Sequence, residues 1–295
     1  MGVIRTLAAV LICASVGLPA APAAVVVTYE SSVEAFDEAL HGLQAALATN
    51  GVQTVDLRSP GSEGALAQAL TGREVRVVVA MGSQALAAVR SRNPGVPVIA
   101  TMVLHPKDGS SISGYLDVEV PLSTVLAEMR LLLPQRRRVG ILRSPARSRQ
   151  TAEEIQASAR KEGFTAVVMD CDGPANLLRA LGALKGKVDF LLCFPDADLY
   201  NSVTIKPLIL AALEDRLPVV GFSPAFVRAG AAAGVYPDYY EIGRQTAEMT
   251  LRVIRGEERG LAEGPRKVRA AVNERVARLL GIAFETRSGT VAVFR

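Results

Sequence analysis

Short runs of apolar residues alternate with longer amphipathic segments along most of this chain, and this alternation restricts the possible folds more than any other feature. Runs of this length fit buried strands, and the segments between them have the apolar spacing of helices. Strands that alternate with helices are typical of parallel sheets. The predicted strands are Ala24–Tyr29, Val52–Leu57, Val75–Ala80, Val96–Thr101, Arg138–Leu142, Phe164–Asp170, Val188–Phe194 and Pro218–Phe222, and the predicted helices are Val33–Ala48, Gly61–Thr71, Ser83–Arg90, Leu122–Leu133, Gln150–Glu162, Ala175–Lys185 and Ile205–Asp215.

The alternation runs through the chain twice. One helix of the first series ends at Gly51, and one helix of the second series ends at Gly163. A strand, a helix and another strand follow in both series: Val77 comes 26 positions after Gly51, and Phe190 comes 27 positions after Gly163. We therefore predict an α/β protein of two similar Rossmann-like lobes, each of them a doubly wound parallel sheet.

The composition agrees with two lobes of this kind. The chain has 295 residues, which is long for one compact domain, and with 5% aromatic residues and no Trp its core must consist of Ala, Val, Leu and Ile. Such residues suit parallel sheets that helices cover. The net charge is only +4, and the chain has no long run of basic residues. Its densest basic cluster, Arg136-Arg137-Arg138, has no interleaved aromatic residues. We therefore expect no nucleic-acid partner.

The first 24 residues have the pattern of a secretory signal peptide. Arg5 precedes an uncharged apolar run, Leu7–Leu18, and small residues follow up to Ala24. We predict cleavage near this point and a periplasmic, exported protein. An uncleaved membrane anchor is the alternative, because the stretch from Leu7 to Val27 is long enough to span a bilayer.

Export also sets the redox environment of the cysteines. Cys13 would leave with the signal peptide, so that Cys171 and Cys193 remain near the ends of two predicted strands. The sequence leaves open whether these two form a disulfide or stay as two buried thiols.

Polar and small residues follow the predicted strands in both series. Open parallel sheets bind ligands beyond the carboxyl ends of their strands, so two facing lobes would place these residues around one cleft. Backbone N–H groups at the helix starts bind carboxylates well, and Asp196 is suited to hold a ligand ammonium; for any single serine, helix capping is the alternative. The predicted ligand-binding residues are Ser31, Ser32, Gly82, Ser83, Thr101, Asp117, Ser144, Arg147, Asp196, Phe222, Ser223 and Asp238.

No segment carries a complete catalytic or cofactor motif. Gly221–Ala225 is similar to a nucleophile elbow, but its last Gly is missing, and both His41 and His105 precede its serine. Gly182–Lys187 is too short for a phosphate-binding loop, and the histidines and cysteines are too widely spaced for a metal site. We expect a binding protein and not an enzyme, with no cofactor and no metal.

Several segments, taken in order, resemble one known family. They are similar to the ABC-transporter substrate-binding proteins of the type related to tryptophan- and tyrosine-binding receptors, over roughly residues 25–283. The segments are Val78–Ser83, Leu116–Leu122, Leu131–Leu142, Pro218–Ser223, Val227–Ala231, Pro237–Tyr239, Gly243–Gln245, Val272-Asn273 and Ala277–Gly281.

The resemblance implies the type I periplasmic-binding fold, in which the chain crosses between the lobes three times. The crossings would fall near Asp117–Val120, Ala232–Val235 and Pro265–Arg269, and helix Tyr239–Arg255 would return to the first lobe. Residues 25–118 and 234–262 would then form the first lobe, and residues 119–233 and 263–295 the second.

The resemblance also implies a function. Such a protein serves an ABC-type uptake system: it closes over a small polar ligand, such as an amino acid or a small carboxylate, and delivers it to the permease subunits. A sensory receptor that reports ligand occupancy to a membrane partner is the alternative. Family members often carry Asn-Pro after the strand that ends here at Leu142. This chain has Arg143–Arg147 instead, and we hypothesise that Arg143 and Arg147 favour an acidic ligand.

Overall fold

A computed structural model describes residues 25–31, 33–47, 51–72, 74–104, 112–257, 260–285 and 291–294. The predicted signal peptide, Ser32 and His105 lie outside these residues. Within the described ranges, no helix has both the length and the apolar character that a membrane crossing requires.

The described elements follow the predicted alternation. The first series comprises β1 (Val25–Tyr29), α1 (Glu34–Leu47), β2 (Val52–Asp56), α2 (Ser62–Leu70), β3 (Val77–Met81), α3 (Ser83–Arg90), β4 (Val98–Val103) and β5 (Gly114–Asp117). The second comprises α4 (Leu122–Leu132), β6 (Arg138–Arg143), α5 (Ala152–Lys161), β7 (Thr165–Asp170), α6 (Leu177–Leu184), β8 (Phe190–Leu192), α7 (Ile205–Glu214), β9 (Val219–Gly221), α8 (Pro224–Arg228) and β10 (Ala233–Pro237). The last part comprises α9 (Tyr239–Ile254), β11 (Leu261–Glu263), β12 (Val268–Asn273), α10 (Glu274–Leu280) and β13 (Val291–Phe294).

The strands form two sheets, as predicted. The sheet of the first lobe has the order β11-β5-β4-β3-β1-β2, and all its neighbouring strands are parallel. The sheet of the second lobe has the order β13-β12-β10-β9-β8-β6-β7, in which only β10 and β12 pair antiparallel. All five residues of β3 are buried, because helices cover both faces of its sheet.

Helix α9 returns to the first lobe, as the resemblance implied, and packs closely on α1. Gly243 of α9 lies so near α1 that a Cβ there would be 1.9 Å from the Ala39 carbonyl oxygen. A Cβ at Gly42 of α1 would be 2.0 Å from the Tyr240 carbonyl oxygen. The two glycines therefore let the helix backbones approach each other directly.

The second crossing between the lobes lies later than the predicted Ala232–Val235. Strand β10 pairs with β9 and with β12, so residues 233–237 belong to the second lobe, not to the first. The chain crosses at Asp238, between β10 and α9. The third crossing lies between β11 and β12, after Glu263, because β11 extends the first sheet beside β5. Compared with the predicted boundaries at residues 234 and 262, residues 234–237 therefore belong to the second lobe and Glu263 belongs to the first.

Cys171 and Cys193 are both buried free thiols, so the structure does not contain the disulfide that the sequence left open. The N–H of Cys171 donates to the Arg143 carbonyl, and Cys193 extends β8 on the other side of β6. The two residues are thus two strand spacings apart, about 10 Å. Disulfide geometry requires the Cα atoms to lie within about 7 Å.

Candidate functional site: the cleft between the lobes

A groove runs along the carboxyl ends of the second lobe's strands, beside the first crossing. It consists of three adjoining cavities of about 480, 80 and 20 Å³. The first and second share Glu119, Arg149 and Gln150, and the second and third share Phe194 and Pro195. We call this continuous feature the groove.

Both lobes line the largest cavity of the groove. The first lobe contributes Tyr115, Asp117 and residues 262–264. The second lobe contributes the start of α4, residues 149–150 just before α5, and Ser158 within α5. The start of α5 is fixed by a capping box, in which Thr151 and Glu154 satisfy each other's backbone N–H groups. Asp117 accepts a hydrogen bond from the Glu119 N–H at 2.9 Å and lies 3.9 Å from Arg149 of the other lobe.

Asp196 lines the middle cavity together with Ser144 and Tyr200. Its Oδ1 accepts hydrogen bonds from the N–H groups of Asp198 at 2.9 Å and Leu199 at 3.2 Å, which fixes the carboxylate on the turn after β8. No described residue donates a hydrogen bond to its Oδ2. The carboxylate therefore has one oxygen available to a ligand donor.

Arg143 and Arg147 are both engaged by carboxylates. Arg143 Nε donates to Asp170 Oδ1 at 2.6 Å, and Arg147 Nε donates to Asp198 Oδ2 at 2.7 Å. These ion pairs compensate both guanidinium charges, so neither arginine offers an unpaired cation to an acidic ligand.

The floor of the groove is aromatic and apolar. Phe222 lines the third cavity and packs against Phe226 and Tyr200, with ring centroids 5.1 and 6.2 Å away. Cys193 lies among these residues, and burial raises the pKa of its thiol to about 12. Burial likewise raises the pKa of Tyr200, whose hydroxyl donates to the Leu142 carbonyl oxygen at 3.3 Å.

The structure brings five of the predicted residues together in the groove. These are Asp117, Ser144, Arg147, Asp196 and Phe222.

Apart from Asp117, the predicted residues of the first lobe that the structure describes do not line the groove. Ser31, Gly82 and Ser83 follow β1 and β3, at the carboxyl edge of the sheet. Thr101 is fully buried, and its hydroxyl oxygen lies 2.9 Å from that of Thr246 on α9. Its side chain therefore faces the interior of the lobe.

Ser223 and Asp238 serve as helix caps. Ser223 accepts a hydrogen bond from the Phe226 N–H, and Asp238 accepts one from the Glu241 N–H, both at 3.2 Å. Asp238 also pairs with Arg269 at the second crossing. For Ser223 this is the capping role that the sequence left open as the alternative, and Asp238 caps α9 in the same way.

A second cavity between the lobes was not predicted from the sequence. It has a volume of about 580 Å³ and lies between the start of α1 and α8, where Ser223 lines it. Arg228 of the second lobe donates to Glu34 of the first lobe across it, at 2.7 Å. Glu34 and Glu38 are four residues apart on α1, a spacing that signals a shared helix face. Burial raises the pKa of Glu38.

The profile of one protein family, described as "ABC transporter substrate binding protein", matches residues 24–287. This chain belongs to that family. The resemblance identified in the sequence is thereby confirmed.

A curated relative of this substrate-binding protein carries a more specific name. The tyrosine-binding protein of Clostridioides difficile (strain R20291) is 23% identical over 199 residues. The alignment covers 62% of this chain and 56% of the relative, so the chain spans little more than half the length of the curated protein that it matches.

Solved structures establish the fold of the substrate-binding protein. An ABC domain from Streptococcus pneumonia in complex with L-Trp is 19% identical, with a TM-score of 0.61, over 92% of this chain and 100% of that one. A ligand-free, open substrate-binding protein with adhesive properties from Clostridium difficile is also 19% identical, with a TM-score of 0.66, over 92% and 98%. Together with the two parallel-rich sheets, these similarities confirm the predicted type I periplasmic-binding fold.

Proposed function

We propose that this substrate-binding protein binds a small polar ligand, an amino acid or a similar compound, in the groove and serves an ABC-type uptake system. The observation that carries the proposal is the groove itself. It lies at the carboxyl ends of the strands, residues of both lobes line it, and Asp196 presents a carboxylate with one unoccupied oxygen. The family and the structural relatives, which are binding proteins, support the same reading.

In the proposed complex, the ligand ammonium binds Asp196 and the apolar part of the ligand rests on the aromatic floor near Phe222. The first three N–H groups of α3, which begins at Ser83, have no acceptor within the helix. The start of α3 does not line the groove in this structure, so we propose that closure of the lobes brings it to the ligand carboxylate, because helix N-termini bind anions. Amino acids with aromatic side chains are the first ligands to test, since the named relatives bind tyrosine or L-Trp.

Binding would couple to closure of the lobes about the three crossings. A ligand that contacts only one lobe has equal affinity for the open and closed forms and shifts neither. A ligand that bridges Asp196 to the start of α3 binds the closed form more tightly, and so stabilises it. Periplasmic localisation after removal of the first 24 residues, and ABC permease subunits as partners, complete the proposal.

The experiment that tests this function is a thermal-shift screen of the mature chain against the common amino acids, small carboxylates and nucleobases. A ligand that binds only the folded state raises stability by about 2.7 kcal/mol at a concentration of one hundred Kd. We expect a clear rise in Tm with one group of amino acids and a loss of that rise in Asp196→Asn. An undiminished rise in Asp196→Asn would refute the proposed site, and no rise with any compound would refute the proposed function.

A further inference from the structure

One ion pair joins two loops of the second lobe at the rim of the groove. Arg147 lies in the loop after β6, and its guanidinium donates twice to Asp198: Nε to Oδ2 at 2.7 Å and Nη2 to Oδ1 at 3.4 Å. Asp198 lies in the loop after β8. The side chains are 54% and 44% exposed, so the pair sits at the surface of the groove.

The Asp198 end of the pair belongs to the same turn as Asp196. The N–H of Asp198 donates to Asp196 Oδ1, and the N–H of Tyr200 donates to the Asp196 carbonyl oxygen at 2.7 Å. Leu199 and Tyr200 are buried in the core and anchor the far side of this turn. On the exposed side of the turn, the ion pair with Arg147 is the contact that holds Asp198.

The Arg147 end of the pair is also held by local structure. The N–H groups of Arg147 and Ser148 donate to the Ser144 carbonyl oxygen at 3.0 and 2.8 Å, which closes a turn directly after β6. Ser144 is buried, so this turn is fixed to the sheet. The hydrogen bond from Arg147 to Asp198, followed by the charge of Asp198, raises the pKa of the guanidinium. The guanidinium of Arg147 therefore stays charged at any physiological pH.

We propose that Arg147 is a positioning residue for the Asp196 turn, and not a contact for a ligand carboxylate. The doubly hydrogen-bonded pair holds Asp198, the N–H of Asp198 holds Asp196 Oδ1, and the other oxygen of Asp196 is thereby oriented in the groove. The inference rests on the proposed function in that Asp196 is the group that binds the ligand. It replaces the hypothesis that Arg147 selects an acidic ligand.

The first test needs no ligand. Amide hydrogen exchange of residues 196–200 is compared in the wild type, Arg147→Ala, Asp198→Asn and the double variant. We expect each variant, the double one included, to speed exchange by about the same two- to fivefold, because each removes the same surface ion pair. Arg130→Ala is the matched control, since Arg130 pairs with Glu162 and lines no part of the groove. Unchanged exchange in Arg147→Ala would overturn the proposal.

The second test measures the Kd of L-tyrosine and L-tryptophan for the same variants. A positioning role predicts equal, non-additive losses of about two- to fivefold in Arg147→Ala and Asp198→Asn. Direct contact with the ligand predicts a loss in Arg147→Ala alone, with unchanged or tighter binding in Asp198→Asn, and would overturn the proposal. Asp196→Asn distinguishes failure of the proposed ligand site from failure of the positioning role. If this variant leaves the Kd unchanged, the proposed site fails, and the exchange experiment still decides whether Arg147 orders the turn.

Discussion

At the scale of single residues, Cys193 makes the stability of the protein sensitive to alkaline pH. Burial raises the pKa of its thiol to about 12, whereas a thiol in the unfolded chain titrates at about 8.5. Both states are protonated below pH 8.5, so the raised pKa changes nothing there. Above pH 8.5 the thiol of the unfolded chain loses its proton while the folded thiol keeps it. Deprotonation therefore stabilises the unfolded state, and the free energy of unfolding falls progressively until the folded thiol also titrates.

We therefore expect the free energy of unfolding to fall by about 1.4 kcal/mol per pH unit above pH 8.5 through this thiol alone. Urea denaturation at pH 8 and pH 10 measures the loss, and Cys193→Ala should abolish about 2 kcal/mol of it. Cys171→Ala is the control, because burial also raises the pKa of Cys171, but less strongly. Equal pH dependence in the wild type and Cys193→Ala would contradict the expectation.

The groove residues that could be predicted from the sequence are those whose position follows from the strand pattern. Ser144 follows β6 directly and Asp196 lies in the loop after β8, and the carboxyl ends of neighbouring parallel strands meet at one edge. Thr101 ends the predicted strand Val96–Thr101, and the same rule places it at this edge, yet it lies within β4 and its side chain faces α9. Its orientation depends on Thr246, 145 residues later in the chain, and on the bulge at Met102, whose φ is 56°. No local pattern contains that information.

At the scale of elements, length and burial decide how well the sequence predicts structure. Helix Ser83–Arg90 has the predicted bounds, because its apolar spacing is regular and it begins directly after a buried strand. Strand β11 has only three residues, and β10 contains a Gly and a Pro, so neither carries a clear strand pattern. The resemblance implies a crossing near Ala232–Val235, but residues 233–237 form a strand because they pair with β9 and β12, and such pairing leaves no local pattern in the sequence.

The third crossing is held against α9 by one buried side chain. Gln245 is 1% exposed; its Nε2 donates to the Gly264 carbonyl oxygen at 3.1 Å, and its Oε1 accepts from the Arg266 N–H at 3.0 Å. One amide thus satisfies two backbone groups of the crossing, which lies between β11 and β12.

We expect Gln245→Leu, which keeps the size of the side chain, to lower the free energy of unfolding by about 1–3 kcal/mol. The reason is that it leaves both backbone groups without their partner. Urea denaturation measures the loss. Glu248→Gln on the same helix, which removes an exposed ion pair with Arg266, should cost less than about 1 kcal/mol. A Gln245→Leu protein as stable as Glu248→Gln would show that the crossing does not depend on the amide.

At the scale of the whole molecule, ion pairs connect the two lobes on both sides of the cleft. Asp117 of the first lobe lies 3.9 Å from Arg149 of the second, beside the first crossing. On the other side, Arg228 of the second lobe donates to Glu34 of the first at 2.7 Å. The guanidinium of Arg228 also lies over the ring of Phe294, 5.7 Å from its centroid, so β13 supports the second pair. That these charges would meet depends on how the lobes face each other, which no segment of the sequence encodes by itself.

The pair between Glu34 and Arg228 should bias the molecule toward lobes that are close together, because rotation of the lobes apart separates the two charges. The side chains are 62% and 46% exposed, so its contribution is about 0.2–1 kcal/mol, at most about a fivefold change in the ratio of closed to open molecules. We expect Glu34→Gln and Arg228→Gln each to enlarge the radius of gyration of the ligand-free protein, measured by small-angle X-ray scattering. Each should also raise the Kd of a ligand that needs closure, by up to the same factor.

The double variant should show no larger change in the radius of gyration or the Kd than either single variant, and high salt should make the wild type behave like the variants. Arg278→Gln, which removes a pair within α10, is the matched control and should change neither quantity. A smaller radius or tighter binding in Arg228→Gln would show instead that the pair holds the lobes apart and opposes their closure on the ligand.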